Sequence, residues 1–347
     1  MVIIDEAQFV KNPATAAAKA LRRLNARHRL ALTGTPLENH LGELWSLFDF
    51  VSPGFLGDHK GFVKTWRSPI EKKGDMERQK RLAGRVKPFL LRRTKAAVAA
   101  DLPPKTEIIE QIELGSGQRA LYDGIRLAMH RKVRDAIAAK GLNRSRIEFL
   151  DALLKLRQVC CDPRLVKTSG IKPIKAGSAK LERLMEMLPE LIDEGRRILV
   201  FSQFTSMLEL IEEELNAAKI PFVLLTGQTR DRATPVAEFQ RGHIPVFLIS
   251  LKAGGTGLNL TAADTVIHYD PWWNPAVEAQ ATDRAHRIGQ DKPVFVHKLV
   301  ALDTIEVKMA ELKSRKQALA DGLFDPEQGG ALEISEDDID FLLGDPV

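Results

Sequence analysis

From Lys180 to Leu299 the chain alternates short, continuously apolar runs with longer stretches of helical character, and few folds accept that rhythm. The runs are Ile198-Leu-Val-Phe201, Phe222-Val-Leu-Leu225, Val246-Phe-Leu-Ile-Ser250, Thr265-Val-Ile-His268 and Val294 to Leu299. A strand without a polar face leaves no side for water, so both faces of its sheet must be covered. Lys180 to Gly195, Thr205 to Ala218 and Arg232 to Gly242 supply the cover as helices, the first stopped by Gly195. Strands and helices in this order predict a parallel sheet with helices on both faces. The amino-terminal end follows the same grammar. Val2-Ile3-Ile4 reads as a short buried strand ending in acids, Ala14 to Leu24 as a helix, Arg29 to Thr33 as a second strand and Gly34-Thr35-Pro36 as a loop. The fold class is α/β.

From Leu41 to about Thr168 helical periodicity takes over, with basic faces: Leu44, Leu47, Phe48 and Val51, then Leu121 to Ala139, then Ile147 to Val159. Pro103-Pro104 leads into an alternating stretch, Lys105 to Leu114, that reads as a strand. These cues divide the chain into residues 1–115 with a helical insertion at about 41–95, a helical protrusion at 116–168 and a Ser/Gly/Pro/Lys-rich linker at 169–178. A second α/β unit at 179–303, a closing helix at 304–322 and an acidic tail at 323–347 follow. The tail is expected to be a disordered end. Apolar residues make up 44% of the chain, enough for real cores, and no run of ~18 uncharged apolar residues suggests a membrane span. Met1-Val-Ile-Ile-Asp-Glu reads as a strand rather than a signal peptide. A net charge of +5 permits nucleic-acid binding without requiring it. Cys160 and Cys161 are adjacent and have no nearby His, so a helix interior in a reducing cytoplasm suits them better than a disulfide or a zinc site.

Four places carry chemistry. Asp5 and Glu6 end the first strand, where one acid can hold Mg²⁺ on a nucleotide and the next can orient a water; by itself such a pair also suits a solvated strand end. Leu32-Thr-Gly-Thr-Pro36 sets two hydroxyls around a glycine, a relay or a plain turn. Ser250 to Leu260 holds Gly254, Gly255 and Gly257 after a strand, where amides freed of Cβ can approach phosphate, with Thr256 and Asn259 as added donors. A dinucleotide fingerprint would need a third glycine that is missing. In Gln280-Ala-Thr-Asp-Arg-Ala-His-Arg-Ile-Gly-Gln290, Arg284 and Arg287 stand three apart, on one face if helical, with Gln280 one turn earlier. Two guanidiniums on one face suit a triphosphate or, more blandly, a solvated surface; His286 would face away and be structural.

In this order and spacing, over nearly all of residues 1 to about 322, the motifs resemble the Swi/Snf-type DNA translocases of helicase superfamily two, most closely the bacterial members. The resemblance rests on Ile3-Ile-Asp-Glu-Ala-Gln8, Leu32-Thr-Gly-Thr-Pro-Leu-Glu-Asn39, Val200-Phe-Ser-Gln-Phe204, Ser250 to Leu260 and Gln280 to Gln290. Pro88-Phe-Leu-Leu-Arg-Arg-Thr94, Asp101-Leu-Pro-Pro-Lys105, His268-Tyr-Asp-Pro-Trp-Trp-Asn-Pro275 and Ala318-Leu-Ala-Asp-Gly322 add to it. It implies two RecA-like parallel-sheet lobes, the first incomplete, with helical insertions, ATP between the lobes and duplex DNA across them. By the same resemblance Asp5 would hold Mg²⁺ and Glu6 activate water. Gln8, Thr33, Gly34 and Thr35 would couple hydrolysis to lobe movement. Gly255 and Gly257 would line the ATP site, and Arg284 and Arg287 would reach the γ-phosphate with Gln280 in support. Gln203, Lys252, Thr256 and Asn259 would contact the DNA backbone, without regard to sequence. The implied protein is a cytoplasmic, nucleoid-associated monomer.

The 347 residues contain no G-x-x-x-x-G-K-[ST]. The chain is therefore expected to be amino-terminally truncated, with exposed sheet edge in its first lobe and weak ATP turnover. The alternative is a non-catalytic DNA-binding fragment or degenerate pseudoenzyme.

Overall fold

The computed structural model describes residues 1–13, 15–34, 40–91, 93, 95, 99, 101–166, 176–254, 257–272, 275–312 and 336–344. Within them, eight strands form two sheets, and every pairing in both is parallel. The chain divides into two units, Met1–Arg93 with Glu311–Ser335, and Thr94–Ala310 with Glu336–Val347.

In the first unit, β1 (Val2–Ile4) pairs with β2 (Arg29–Ala31), Ile3 opposite Leu30. The core lies beside this ribbon, where helix Leu41–Val51 buries Leu41, Leu44, Trp45 and Phe48 against Leu56, Phe62, Ile70, Leu82 and Val86. Glu71, 2% exposed, starts that helix from outside: its carboxylate accepts the Leu41 N–H at 2.6 Å while Arg67 neutralises it at 2.8 Å. The apolar run Val2-Ile3-Ile4 reads as a buried strand, yet Ile3 is 50% and Leu30 46% exposed. Two strands with a helix on one side leave the other face uncovered, and alternation places Ile3 and Leu30 there.

The second unit holds the sheet that the amino-acid rhythm predicts. Its order is β3-β8-β7-β4-β6-β5, with β3 Lys105–Ile112, β4 Ile198–Ser202, β5 Phe222–Leu225, β6 Val246–Ser250, β7 Thr265–His268 and β8 Val294–Ala301. Strand alternation sends Ile198, Val200, Val246 and Leu248 to one face, packed by helices Ala179–Asp193 and Thr205–Ala217. Leu199, Phe201, Phe247 and Ile249 point to the other, against Phe239, Ala281 and Ala285.

The boundaries differ from the sequence reading in two places. Residues 94–115 group with the second unit rather than with 1–93, because β3 pairs with β8 along its whole length, Lys105 opposite Val294 through Ile112 opposite Ala301. The tail is not a disordered end throughout. Helix Glu336–Leu343 docks on the long helix Ser116–Lys140, burying Ile339, Leu342 and Leu343, and Asp340 pairs with Arg134 at 3.0 Å. The apolar stripe at spacings of three and one is enough to seat it despite the acids around it. Residues 169–175 of the linker, the closing segment after 312 and the tail up to 335 lie outside the described residues. Cys160 and Cys161 are fully buried in helix Arg146–Cys161, and that burial holds both thiols well above their ordinary titration range. No described helix is long and apolar enough to cross a membrane.

Candidate functional site

In the first unit the chemistry gathers where β1 and β2 end. Glu6 adopts a left-handed backbone (φ 50°, ψ 49°), which for a residue with a Cβ costs about 1–3 kcal/mol and is retained where the surroundings enforce it. The enforcing contacts are local. The Glu6 N–H donates to Asp5 Oδ1 at 2.8 Å, and the Ala7 N–H to the Leu32 carbonyl at 2.9 Å. The side chains then form a chain of their own: Thr33 Oγ1 donates to Gln8 Oε1 at 2.7 Å, and Gln8 Nε2 donates to Glu6 Oε2 at 2.5 Å. A hydroxyl after β2 is thereby linked through one amide to a carboxylate after β1. Asp5 is exposed at the strand end, and Gly34 is exposed beside Thr33. Thr35 lies outside the described residues.

In the second unit, three loops emerge from the carboxyl ends of the adjacent strands β7, β4 and β6, the edge at which parallel α/β sheets bind ligands. After β6, a Cβ on Gly254 would come within 2.9 Å of the Phe201 ring, so only glycine lets this loop lie on the core. Gly257 has φ +49°, the left-handed region glycine enters freely. Lys252, Gly257 and Asn259 are exposed; Gly255 and Thr256 lie outside the described residues.

Arg284 and Arg287 do not share a helix face. Helix Pro275–Thr282 carries Gln280, half-buried, and stops; residues 283–289 are turns and bends, with tight Arg284-to-Ala281 and Ala285-to-Thr282 backbone bonds. The turn is held from below by Gln290, whose buried amide donates to the carbonyls of Thr261 (3.2 Å), Ala263 (2.7 Å) and Ala285 (3.1 Å). Both arginines nevertheless converge on one target. Arg284 Nε donates to the Gly254 carbonyl at 2.9 Å and Arg287 Nη1 to the Leu258 carbonyl at 3.2 Å, so the two guanidiniums clamp opposite ends of the glycine loop. Arg284 is only 8% exposed and Arg287 half-buried. His286 turns elsewhere, its Nε2 at 2.9 Å from the Pro103 carbonyl, in keeping with a structural role.

After β4, Gln203 is held at both ends. Its backbone N–H lies 3.2 Å from both oxygens of Asp270, and its Oε1 accepts from Arg157 Nη1 at 2.8 Å. Arg157 comes from helix Arg146–Cys161, is 7% exposed, also donates to the Pro271 carbonyl at 2.6 Å, and stacks over Trp272 and Phe204. Asp270 is fully buried, and burial pushes its carboxyl up to about 6 despite the Arg157 charge 3.7 Å away. The motif pattern does not mark Arg157 or Asp270 as functional. Arg157 had one readable signal: it stands four residues after Leu153 and three before Cys160, on the buried phase of its helix.

Comparison with known proteins places the SNF2-related domain family on residues 1–165 and the helicase conserved C-terminal domain on 179–289. YwqA of Bacillus subtilis (strain 168), which carries the provisional name ATP-dependent helicase/translocase, is 42% identical over 336 residues, covering 94% of this chain and 36% of that one. An uncharacterized ATP-dependent helicase of Mycoplasma genitalium is 39% identical over 92% of this chain and 30% of its own. The chain spans about a third of the length of these relatives. The solved Sulfolobus solfataricus SWI2/SNF2 ATPase core in complex with dsDNA is 34% identical, with a TM-score of 0.56, over 99% of this chain and 73% of that one.

Proposed function

Taking as premise that this chain belongs to the SNF2-related family of helicase-like ATPases, we propose that it is the motor portion of an ATP-dependent double-stranded-DNA translocase. The observation that carries the reading is the clamp on the glycine loop. Arg284 and Arg287 tie Gly254 and Leu258 to the segment after helix Pro275–Thr282, which supports reading the two segments as one phosphate-facing unit. The DNA-bound relative supports the choice of duplex as the track.

In this reading Asp5 holds Mg²⁺, and the exposed carboxylate at a strand end is the hard oxygen donor such a cation takes beside phosphate. Bound there, the ion would neutralise charge developing on the transferred phosphoryl group. Glu6 orients the attacking water. Its carboxylate already receives Gln8, and Gln8 receives Thr33, so a change at the nucleotide reaches the loop after β2 through two hydrogen bonds. Arg284 and Arg287 bring positive charge to the γ-phosphate, with Gln280 and the glycine loop alongside. Gln203, Lys252, Thr256 and Asn259 meet the DNA backbone, which gives binding that ignores sequence and weakens steeply with salt.

The 347 residues include no glycine-rich cradle with its lysine, so these residues alone lack the amides and the ammonium that would hold the β- and γ-phosphates. The expected behaviour of this polypeptide is DNA binding with little ATP turnover. Two unrelated duplexes of about 30 base pairs should bind with equal Kd, and raising salt from about 50 to 200 mM should weaken both by orders of magnitude. DNA-stimulated hydrolysis by the purified chain at rates of about 1 s⁻¹ or more would overturn the inactivity, and a marked preference between the duplexes would overturn the backbone-contact reading.

A further inference from the structure

We infer that Arg157 is a positioning residue for DNA contact, acting through Gln203; the inference rests on the reading of Gln203 as a backbone contact. In the second sheet β4 lies between β7 and β6. From β4 the chain crosses to the outer edge at β5, returns to β6 beside β4, then passes to β7 and β8 on the other side, so the connections leaving the neighbours β4 and β7 run in opposite directions. The crevice outside the carboxyl ends of two such strands is where open α/β sheets place ligands. Here its floor is Gln203 after β4 and Asp270 after β7, joined by the Gln203 N–H to Asp270 bonds. Arg157 fills the space between them from a separate helix.

The geometry gives Arg157 a specific task. An amide side chain can turn either its oxygen or its nitrogen to a ligand, and only the nitrogen suits phosphate. Arg157 Nη1 occupies Gln203 Oε1 at 2.8 Å, which leaves the amide as a donor. That donor, Gln203 Nε2, is covered and has no acceptor among the described residues, a condition that costs stability until an acceptor arrives. Arg157 itself cannot swing away without cost. Its Nη2 holds the Pro271 carbonyl and faces Asp270, and Trp272 and Phe204 lie against its plane. A lysine could carry the charge but not this fork.

The test is duplex binding by anisotropy with a labelled duplex of about 30 base pairs, on the 347-residue chain, in Arg157→Lys, Gln203→Ala, the double variant and Gln203→Glu. Arg157→Lys and Gln203→Ala should each weaken Kd about five- to tenfold, and the double variant should be no weaker than the worse single one. Arg157→Lys keeps the net charge, so its salt slope should match the wild type. Gln203→Glu keeps Arg157 paired and should melt no lower than wild type, yet bind DNA at least tenfold more weakly. Wild-type protein that fails to bind duplex sinks the DNA reading itself. Wild-type binding with Gln203→Ala and Gln203→Glu unchanged removes Gln203 from the interface and the inference with it. Losses that multiply in the double variant, or Arg157→Lys binding like wild type while Gln203→Ala is weakened, overturn the inference alone.

Discussion

Replacing Lys180 with Met should destabilise the second unit more than any surface change, and the structure says why. Lys180 is fully buried, and its ammonium donates to the Tyr269 carbonyl (3.1 Å), the Leu299 carbonyl (2.8 Å) and Glu306 Oε1 (2.8 Å). Those partners lie on the loop after β7, on β8 and in helix 305–312, so one side chain joins three segments. Met fills most of the volume but leaves Glu306, 1% exposed, without its counter-charge, although the Ala301 N–H still donates to it at 2.8 Å. Removing one member of a buried pair costs about 3–5 kcal/mol. In a unit of this size about 1 kcal/mol shifts Tm by about 2–4 °C, so the expected loss is roughly 10 °C. Lys180→Met with Glu306→Leu should recover part of it, since an apolar pair replaces the ions, but not all, because two carbonyls lose the ammonium and the Ala301 N–H loses its acceptor. Burial, the largest single influence, would lower the Lys180 pKa, yet the Glu306 carboxylate and the neighbouring Cys160 and Cys161 together outweigh it and the net shift is upward. The stabilisation is therefore complete below the unfolded value near 10.5 and fades only as pH climbs through the higher folded one. Thermal melts followed by circular dichroism at pH 6 to 9 should show a constant gap between variant and wild type. A gap under about 2 °C, or a double variant as unstable as the summed singles, would refute the reasoning.

Asp270 gives a pH signature of the same sign in a lower window: its folded pKa, about 6, lies above the unfolded value, so its contribution is present at low pH and lost as pH rises from about 4 to 6. In melts across that window the Tm difference between Asp270→Asn and wild type should move in favour of the variant as pH rises, and a pH-independent difference would count against a buried titrating carboxyl. Gly254→Ala forces a Cβ to within 2.9 Å of the Phe201 ring and should cost about 1–3 kcal/mol in denaturant melts; an unchanged midpoint would show that the loop does not need glycine there.

Much of the second sheet could be read from the amino acids because its strands leave no polar face. Ile198 to Phe201 and Val246 to Ile249 are buried on both sides, and continuous apolarity is the signal for that state. What local pattern cannot supply is partnership. The alternation of Lys105 to Ile112 announces a strand, but only pairing with Val294–Ala301, far along the chain, decides which sheet receives it. The tail helix was hidden for a different reason. Its apolar stripe of Ile339, Leu342 and Leu343 is diluted by Asp337, Asp338 and Asp340, and the surface that receives it belongs to helix Ser116–Lys140.

The candidate site was legible as chemistry and only partly as geometry. A spacing of three put Arg284 and Arg287 on one helical face, but the helix ends at Thr282, and the pair meets through a shared loop instead. The charges that organise the second unit were visible in another way. Arg157 and Lys180 both occupy the buried phase of otherwise apolar helix faces, Lys180 four residues before Leu184 and Arg157 four after Leu153. A cation in that phase must find acceptors, because an unpaired buried charge is too costly to keep. The acceptors are largely main-chain carbonyls, of Tyr269 and Leu299 for one and Pro271 for the other, and a carbonyl has no side-chain identity. Sequence therefore announces that such a residue holds something together, and only the fold reveals that Lys180 braces β8 against helix 305–312 while Arg157 braces the floor of the crevice beside Gln203.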